Sequence, residues 1–119
     1  MILRFLPLAF LAAAGCATVP TAQAPCSVKI DFGSYCCGVD GETKAAVERY
    51  LEGARGVASS TSSAWGREGE STRCVVTRTR ADTDRIYRDL AALVPPTARR
   101  GPVTIVTADG RATPNQTQR

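Results

Sequence analysis

Residues 28–54 read VKIDFGSYCCGVDGETKAAVERYLEGA, and this stretch contains the two periodicities that decide the fold. Val28, Ile30 and Phe32 alternate with polar or small residues, which is typical of a strand with one buried face. After a turn over residues 34–40, apolar residues recur at helical spacing, and they would form one face of a helix: Ala46, Val47, Tyr50, Leu51 and Ala54. The stretch therefore predicts a strand followed by an amphipathic helix.

The predicted helix has recognisable ends. Asp40 precedes it and can accept hydrogen bonds from the first turn. Gly53 or Gly56 can end it, because glycine readily adopts the left-handed conformation found after many helices.

Residues 57–67 are polar and include the run Ser59 to Ser63, so they fit either a low-complexity linker or an edge strand. We favour the edge strand, because a turn over residues 66–71 joins it to a clear strand over 72–78. A second helix is predicted over 81–94, with Asp82 as its cap and Pro95-Pro96 as its stop. Its apolar face would consist of Ile86, Leu90, Leu93 and Val94.

The last predicted strand covers residues 102–107, PVTIVT. The resulting order is β-α-β-β-α-β, which predicts an α+β ferredoxin-like sandwich: a four-stranded antiparallel sheet with two helices on one face. Lys29, Asp31 and Gly33 predict that the other face is polar and exposed, or paired with another subunit.

Residues 1–15, MILRFLPLAFLAAAG, have the parts of a secretory signal, with a positive charge at Arg4 and a short apolar run after it. That run is too short to span a bilayer, which needs about 20 apolar residues. Residues 13–16, AAGC, resemble the bacterial lipobox, although Ala13 stands where that motif usually has Leu. A competing cleavage after Ala24 would place Pro25 beside the cut.

The lipobox resemblance implies a small bacterial lipoprotein whose Cys16 carries a diacylglycerol and an amide-linked acyl chain such as palmitate. Two or more chains make membrane anchoring stable. Ala17 after the cysteine resembles an outer-membrane address, facing the periplasm. The expected organisation is a signal peptide (1–15), a lipidated cysteine and flexible tether (16–25), one small domain (26–109) and a disordered tail (110–119).

Composition narrows the function classes. The chain has 119 residues, a formal net charge of +4 and no histidine, which excludes histidine-based catalysis and histidine-ligated metals. Its arginines are mostly scattered among acidic residues, with Arg99-Arg100 as one of few clusters, so nucleic-acid binding is not predicted. No catalytic constellation and no cofactor are predicted, and Asp31 and Asp109 are interpreted as surface carboxylates.

Four cysteines remain after Cys16, and in an oxidising compartment they predict disulfides. The fold would place Cys36 or Cys37, after the first strand, near Cys74 in the third. Cys26, before the first strand, would be too far from Cys74 to bond. Because adjacent cysteines rarely bond to each other, the second cysteine of the pair and Cys26 would be free, or would pair if the strand limits differ.

The cysteine-bearing loop between the first strand and first helix resembles the heavy-metal-associated domains, which hold a soft metal there with a C-x-x-C motif. That resemblance implies Cys36 and Cys37 as ligands, although they are adjacent here and Tyr35 stands where the family has Met. Asp40 would add a ligand only for a harder metal.

Three function classes follow. The first is a non-enzymatic envelope lipoprotein that binds an envelope protein or plays a structural role. The alternatives are a soft-metal-binding domain using Cys36 and Cys37, and a thiol–disulfide redox protein.

Changing Cys16 tests the lipid anchor. We expect Cys16→Ala to leave an unlipidated precursor, because the thioether bond forms only on that sulfur. The measurement is labelling of the expressed chain with a fatty-acid analogue, followed by membrane fractionation. Label retained on Cys16→Ala would contradict the prediction.

Overall fold

Four antiparallel strands and two helices make up the part of the chain that the computed structural model describes, residues 25–113. The signal peptide, Cys16, residues 17–24 of the tether and residues 114–119 lie outside it. The elements are β1 (Val28–Phe32), α1 (Gly41–Gly53), β2 (Val57–Ala64), β3 (Ser71–Thr77), α2 (Arg80–Leu93) and β4 (Val103–Thr107). The sheet order is β2-β3-β1-β4, which confirms the predicted α+β ferredoxin-like arrangement.

The core lies between the sheet and the helices, and β1 is at its centre. Val28, Ile30 and Phe32 are fully or almost fully buried, and β1 pairs with β3 on one side and β4 on the other. Burying each such side chain contributes about 1.5–3 kcal/mol. The rest of the buried apolar cluster comes from both helices and the two neighbouring strands: Val47, Leu51, Val75, Ile86, Leu90, Val94, Val103 and Ile105.

Asp40 caps α1, as predicted. Its buried carboxylate accepts hydrogen bonds from the Thr43 backbone N–H at 3.0 Å and from the Thr43 hydroxyl at 2.6 Å. The helix ends at Gly53, and Gly56 follows with a φ of +84°. Gly56 has no room for a Cβ, which would collide with the Asp82 carboxylate.

The predicted cap of α2 was wrong. Thr79 occupies the N-cap and its hydroxyl accepts from the Asp82 N–H at 3.1 Å, while the same hydroxyl bonds to the Asp82 carboxylate at 2.8 Å. The helix begins at Arg80, so Asp82 is the third residue of the first turn and completes a reciprocal cap. Leu93, expected on the buried face, is 37% exposed, because burial follows Ile86, Leu90 and Val94 at four-residue spacing.

β2 is an edge strand, as predicted, but it ends at Ala64 rather than at residue 67. The shortening results from the turn that follows, where the Trp65 N–H donates to the Glu70 carbonyl at 3.0 Å. Gly66 and Gly69 both have positive φ in this turn. Glycine adopts that conformation without the steric cost that a Cβ would bring.

The start of the predicted tail is ordered against β4. Ala112 forms an antiparallel bridge with Val106, and the Thr113 N–H donates to the Ile105 carbonyl at 3.0 Å. Thr113 also accepts from the Ile105 N–H through its hydroxyl, at 3.1 Å. The unpaired edge of β4 attracts these residues because buried backbone groups need partners. Residues 110–113 therefore belong to the domain.

Cys26 is bonded to Cys74, with a Cα–Cα distance of 5.2 Å, so the prediction that Cys26 is too far was wrong. The register explains the error: Cys74, the middle residue of β3, lies opposite Lys29 near the start of β1, and Lys29 is only three residues along the chain from Cys26. The bond links cysteines 48 positions apart. Closing a loop of that length stabilises the fold by about 4 kcal/mol.

The cap of α1 gives a test of local stability. We expect Asp40→Ala to lower the free energy of unfolding by about 1–2 kcal/mol, because it removes the acceptor of the Thr43 N–H. Asp40→Asn is the matched control, since its amide oxygen can still accept. Chemical denaturation of both variants is the measurement, and equal stability of the Ala and Asn variants would contradict the assignment.

Candidate functional site

The outer side of β2, which we call the β2 edge, is an eight-residue stretch with the sequence VASSTSSA. Residues 58–64 are exposed on both faces of the sheet, and the strand contains neither a charge nor a proline. Proteins usually protect a sheet edge with charged side chains, proline or a covering segment. The β2 edge has none of these within the described residues, and its irregularity, a register shift between Val57 and Ser59, lies at its start.

The opposite edge of the sheet is treated differently. The outer backbone of β4 is paired by residues 112 and 113 of the same chain. The two edges therefore contrast: residues 112 and 113 cover β4, whereas no segment within residues 25–113 pairs with the outer side of β2.

A groove runs between α1 and the helix-side face of β2, with a volume of about 240 Å³. Arg73 crosses it, bonded to the Glu48 carboxylate at 3.0 Å and more weakly to the Ser60 hydroxyl at 3.4 Å. Glu52 lies at the exposed rim and adds a second carboxylate. The α1 side of the groove carries these two carboxylates, and Leu51 also lines it.

On the face of the sheet away from the helices, polar side chains form a short hydrogen-bond chain. The Trp65 indole N–H donates to the Thr72 hydroxyl at 3.0 Å, and that hydroxyl donates to the Asp31 carboxylate at 2.5 Å. Lys29 lies 3.7 Å from the same carboxylate. Trp65 is 47% exposed, so a large aromatic surface lies beside the end of β2. Of this face only part is polar and exposed: Lys29 is exposed, whereas Asp31 and the valines Val76 and Val106 are half-buried and Gly33 is buried.

Cys36 and Cys37 are bonded to each other, contrary to the prediction that one of them would bond Cys74. The loop that carries them, residues 33–38, lies beside the segment that precedes β4 and not beside β3. Gly33 N–H donates to the Pro102 carbonyl at 2.9 Å, and Tyr35 N–H donates to the Arg100 carbonyl at 3.3 Å. We call this segment the cysteine loop.

The cysteine loop shares a hollow of about 340 Å³ with two arginines. Arg99 and Arg100 line it together with the two sulfur-bearing residues and Tyr35. Arg99 is also paired with Glu42 in the first turn of α1. Gly101 permits the close approach, because a Cβ there would collide with the Gly33 carbonyl. The sequence identified this arginine pair as a cluster, but only the tertiary contacts place it beside the disulfide.

The perturbed pKa values belong to structural contacts. Burial, reinforced by the hydrogen bond to Asp89, raises the pKa of Tyr50 to about 12. The Thr107 hydroxyl, with help from Arg111, lowers the pKa of Asp109 to about 2. Both shifts move away from neutral pH. Tyr50 joins α1 to α2, and Asp109 holds the turn after β4.

The described residues do not contain a set of ligands for the soft-metal-binding alternative. In residues 25–113 no three histidine, cysteine, aspartate or glutamate side chains are grouped as metal ligands would be. Cys36 and Cys37 are joined as a disulfide, and Asp40 is used by Thr43. Among the same residues, no helix has the length and apolar character needed to cross a bilayer.

Comparison with protein-family models, with curated proteins and with solved structures finds no match for this chain.

The two disulfides should differ in their effect on stability. We expect Cys26→Ser/Cys74→Ser to lower the melting temperature by at least about 10 °C, because it removes the constraint on a long loop of the unfolded chain. Cys36→Ser/Cys37→Ser should change it by no more than about 2 °C, because adjacent residues close almost no loop. Thermal melts followed by circular dichroism without reductant measure both, and similar melting temperatures would contradict the distinction.

Proposed function

We propose that the chain is a lipoprotein of the bacterial envelope, anchored through Cys16, whose domain is a non-enzymatic binding module. Its partner is an extended segment of another envelope protein, which adds to the sheet as a fifth strand at the β2 edge. The observation that carries the proposal is the contrast between the two edges, one covered by residues 112–113 and the other open and uncharged.

Strand addition suits the physical character of the β2 edge. An added strand satisfies the outward N–H and C=O groups of β2, and this backbone pairing provides affinity without requiring large side chains. Small serine, threonine and alanine side chains leave the backbone accessible from both faces. The absence of charge on β2 also means that an approaching strand meets no desolvation penalty from an ionised group there.

The groove beside β2 favours a basic partner segment. Side chains on one face of an added strand would project toward the helix side, where Glu48 and Glu52 supply negative charge. Glu48 is already paired with Arg73, so Glu52 is the carboxylate better placed to attract a lysine or arginine. On the other face of the sheet, the exposed ring of Trp65 offers an aromatic surface to a side chain of the added strand.

The leader and the disulfides support the location. Residues 1–16 carry the signal and lipobox-like motif, and both disulfides of the described residues accord with an oxidising compartment outside the cytoplasm. A tether between Cys16 and the domain would hold the β2 edge close to the membrane, where an outer-membrane or periplasmic partner is concentrated.

Site-specific crosslinking in living cells tests the binding surface. A photoreactive residue at Thr61 should give a discrete adduct with an envelope protein, because that position lies in the middle of the β2 edge. The same reporter at Arg88, exposed on α2, is the control and should give none. The adduct should disappear in Ser59→Lys/Ser63→Lys, because charges on an edge strand oppose strand addition.

Thr104→Lys is the control for an added lysine, since it places one on the same face of the sheet but on the covered strand β4. It should leave the Thr61 adduct intact. Equal adducts at positions 61 and 88, or loss of the adduct in both lysine variants, would refute the assignment. An adduct with the mass of two copies of this chain would show that the partner is a second copy, and it would contradict the proposal of a different envelope protein.

A further inference from the structure

We propose that the Cys36–Cys37 disulfide is a thiol–disulfide exchange site, which an external dithiol reduces while Cys26–Cys74 stays intact. This site is separate from the β2 edge, and the inference does not depend on the function proposed for that edge. Three observations support it: the bond joins neighbouring residues, both cysteines are exposed, and two arginines line the same hollow.

The two disulfides differ in what they join. Cys26–Cys74 connects the start of β1 to the middle of β3, and both of its cysteines are half-buried. Cys36–Cys37 connects neighbours along the chain and therefore joins no separate parts of the fold. Its reduction would leave every strand, helix and long-range covalent link of residues 25–113 in place.

The geometry of adjacent cysteines favours opening of the bond. Their Cα atoms are 3.8 Å apart, below the 4.4–6.8 Å usual for disulfides, because a single peptide unit separates them. The bond therefore closes a small ring that includes this peptide unit. Deviation from ordinary disulfide geometry makes a bond more reducible.

The disulfide lies at the surface of the domain. Cys36 and Cys37 are both exposed, in a segment without helix or strand structure, and Tyr35 beside them is exposed as well. The backbone of the loop is nevertheless fixed at its start by the Gly33 bond to Pro102 and the Tyr35 bond to Arg100. The disulfide is thus presented at the surface from a defined position, as an exchange reaction with a second protein requires.

Arg99 and Arg100 place positive charge beside the disulfide. They line the same hollow as the disulfide, and positive charge near a cysteine stabilises its thiolate. The same charges attract an incoming thiolate, which is the reactive form of a thiol. Glu42 partly offsets Arg99, to which it is paired, so Arg100 is the less compensated of the two.

The proposed reaction is a two-step exchange. A thiolate of the external dithiol attacks one sulfur of the pair, for which we take Cys36; a mixed disulfide forms and the Cys36–Cys37 bond breaks. Cys37 leaves as a thiolate and takes up a proton. The second thiol of the reductant, as its thiolate, then attacks the mixed disulfide at the reductant's sulfur and displaces the Cys36 thiolate, which is protonated. The dithiol is oxidised to a disulfide, and Cys36–Cys37 is reduced by two electrons.

Selective reduction of the mature protein, extracted from membranes in detergent, tests the inference. The protein is equilibrated with graded ratios of reduced to oxidised dithiothreitol, free thiols are trapped with a mass-tagged alkylating reagent, and tagged peptides are mapped. We expect Cys36 and Cys37 to become half-tagged at a reduced-to-oxidised ratio at least about tenfold lower than Cys26 and Cys74 do. Joint reduction of both pairs, or earlier reduction of Cys26–Cys74, would overturn the proposal.

The arginines are tested by the rate of reduction. Arg99→Gln/Arg100→Gln should slow the reduction of Cys36–Cys37 by roughly two- to fivefold at low ionic strength, and the difference should vanish near 1 M salt, where screening acts over about 3 Å. Arg88→Gln, at an exposed position on α2, is the control for loss of positive charge. Equal rates for the double variant and the control would remove the arginines from the mechanism and contradict this part of the proposal.

Discussion

The described structure depends on β1 being paired along both of its sides. Each of its five residues has a register partner in β3 and another in β4, and the alternate residues Val28, Ile30 and Phe32 are buried beneath the helices. A slip of one residue would move all three to the polar face, so the register is specified strongly. The position of every other feature follows from it, including the two ends of β1, where both disulfides are found.

The distribution of burial explains why one edge of the molecule differs from the rest. The apolar cluster is built on β1, β3, β4 and both helices, and β2 contributes only the partly buried Val57 to its margin. β2 is thus held mainly by its backbone pairing with β3. A strand with so little burial of its own contributes little to the core, so packing does not account for its small polar side chains.

The periodicity of the chain was sufficient to predict the element order and the sheet, because alternation and helical spacing report directly on burial. The Asp40 cap was predictable for the same local reason. The cap at Thr79 was missed because Asp82, three residues later, also suits a cap. The disulfide partners could not be predicted without the register: Cys74 was expected near the start of β3, beside the end of β1, but it lies in the middle of β3 and bonds to Cys26. The proximity of Arg100 to the cysteine loop depends on the close approach at Gly101, which no local pattern indicates.

The Cys26–Cys74 bond also determines how the domain carries mechanical load. A pull on the chain before residue 26 reaches Cys26 first and passes through a covalent bond to the middle of β3. β3 is paired on both of its sides, so the force is spread over the hydrogen bonds of two strand pairs. Without this bond, the same pull would peel β1 from its neighbours one residue at a time, beginning at Val28. A pull from the amino-terminal side therefore does not load β1 directly, and the domain is protected against unzipping at Val28.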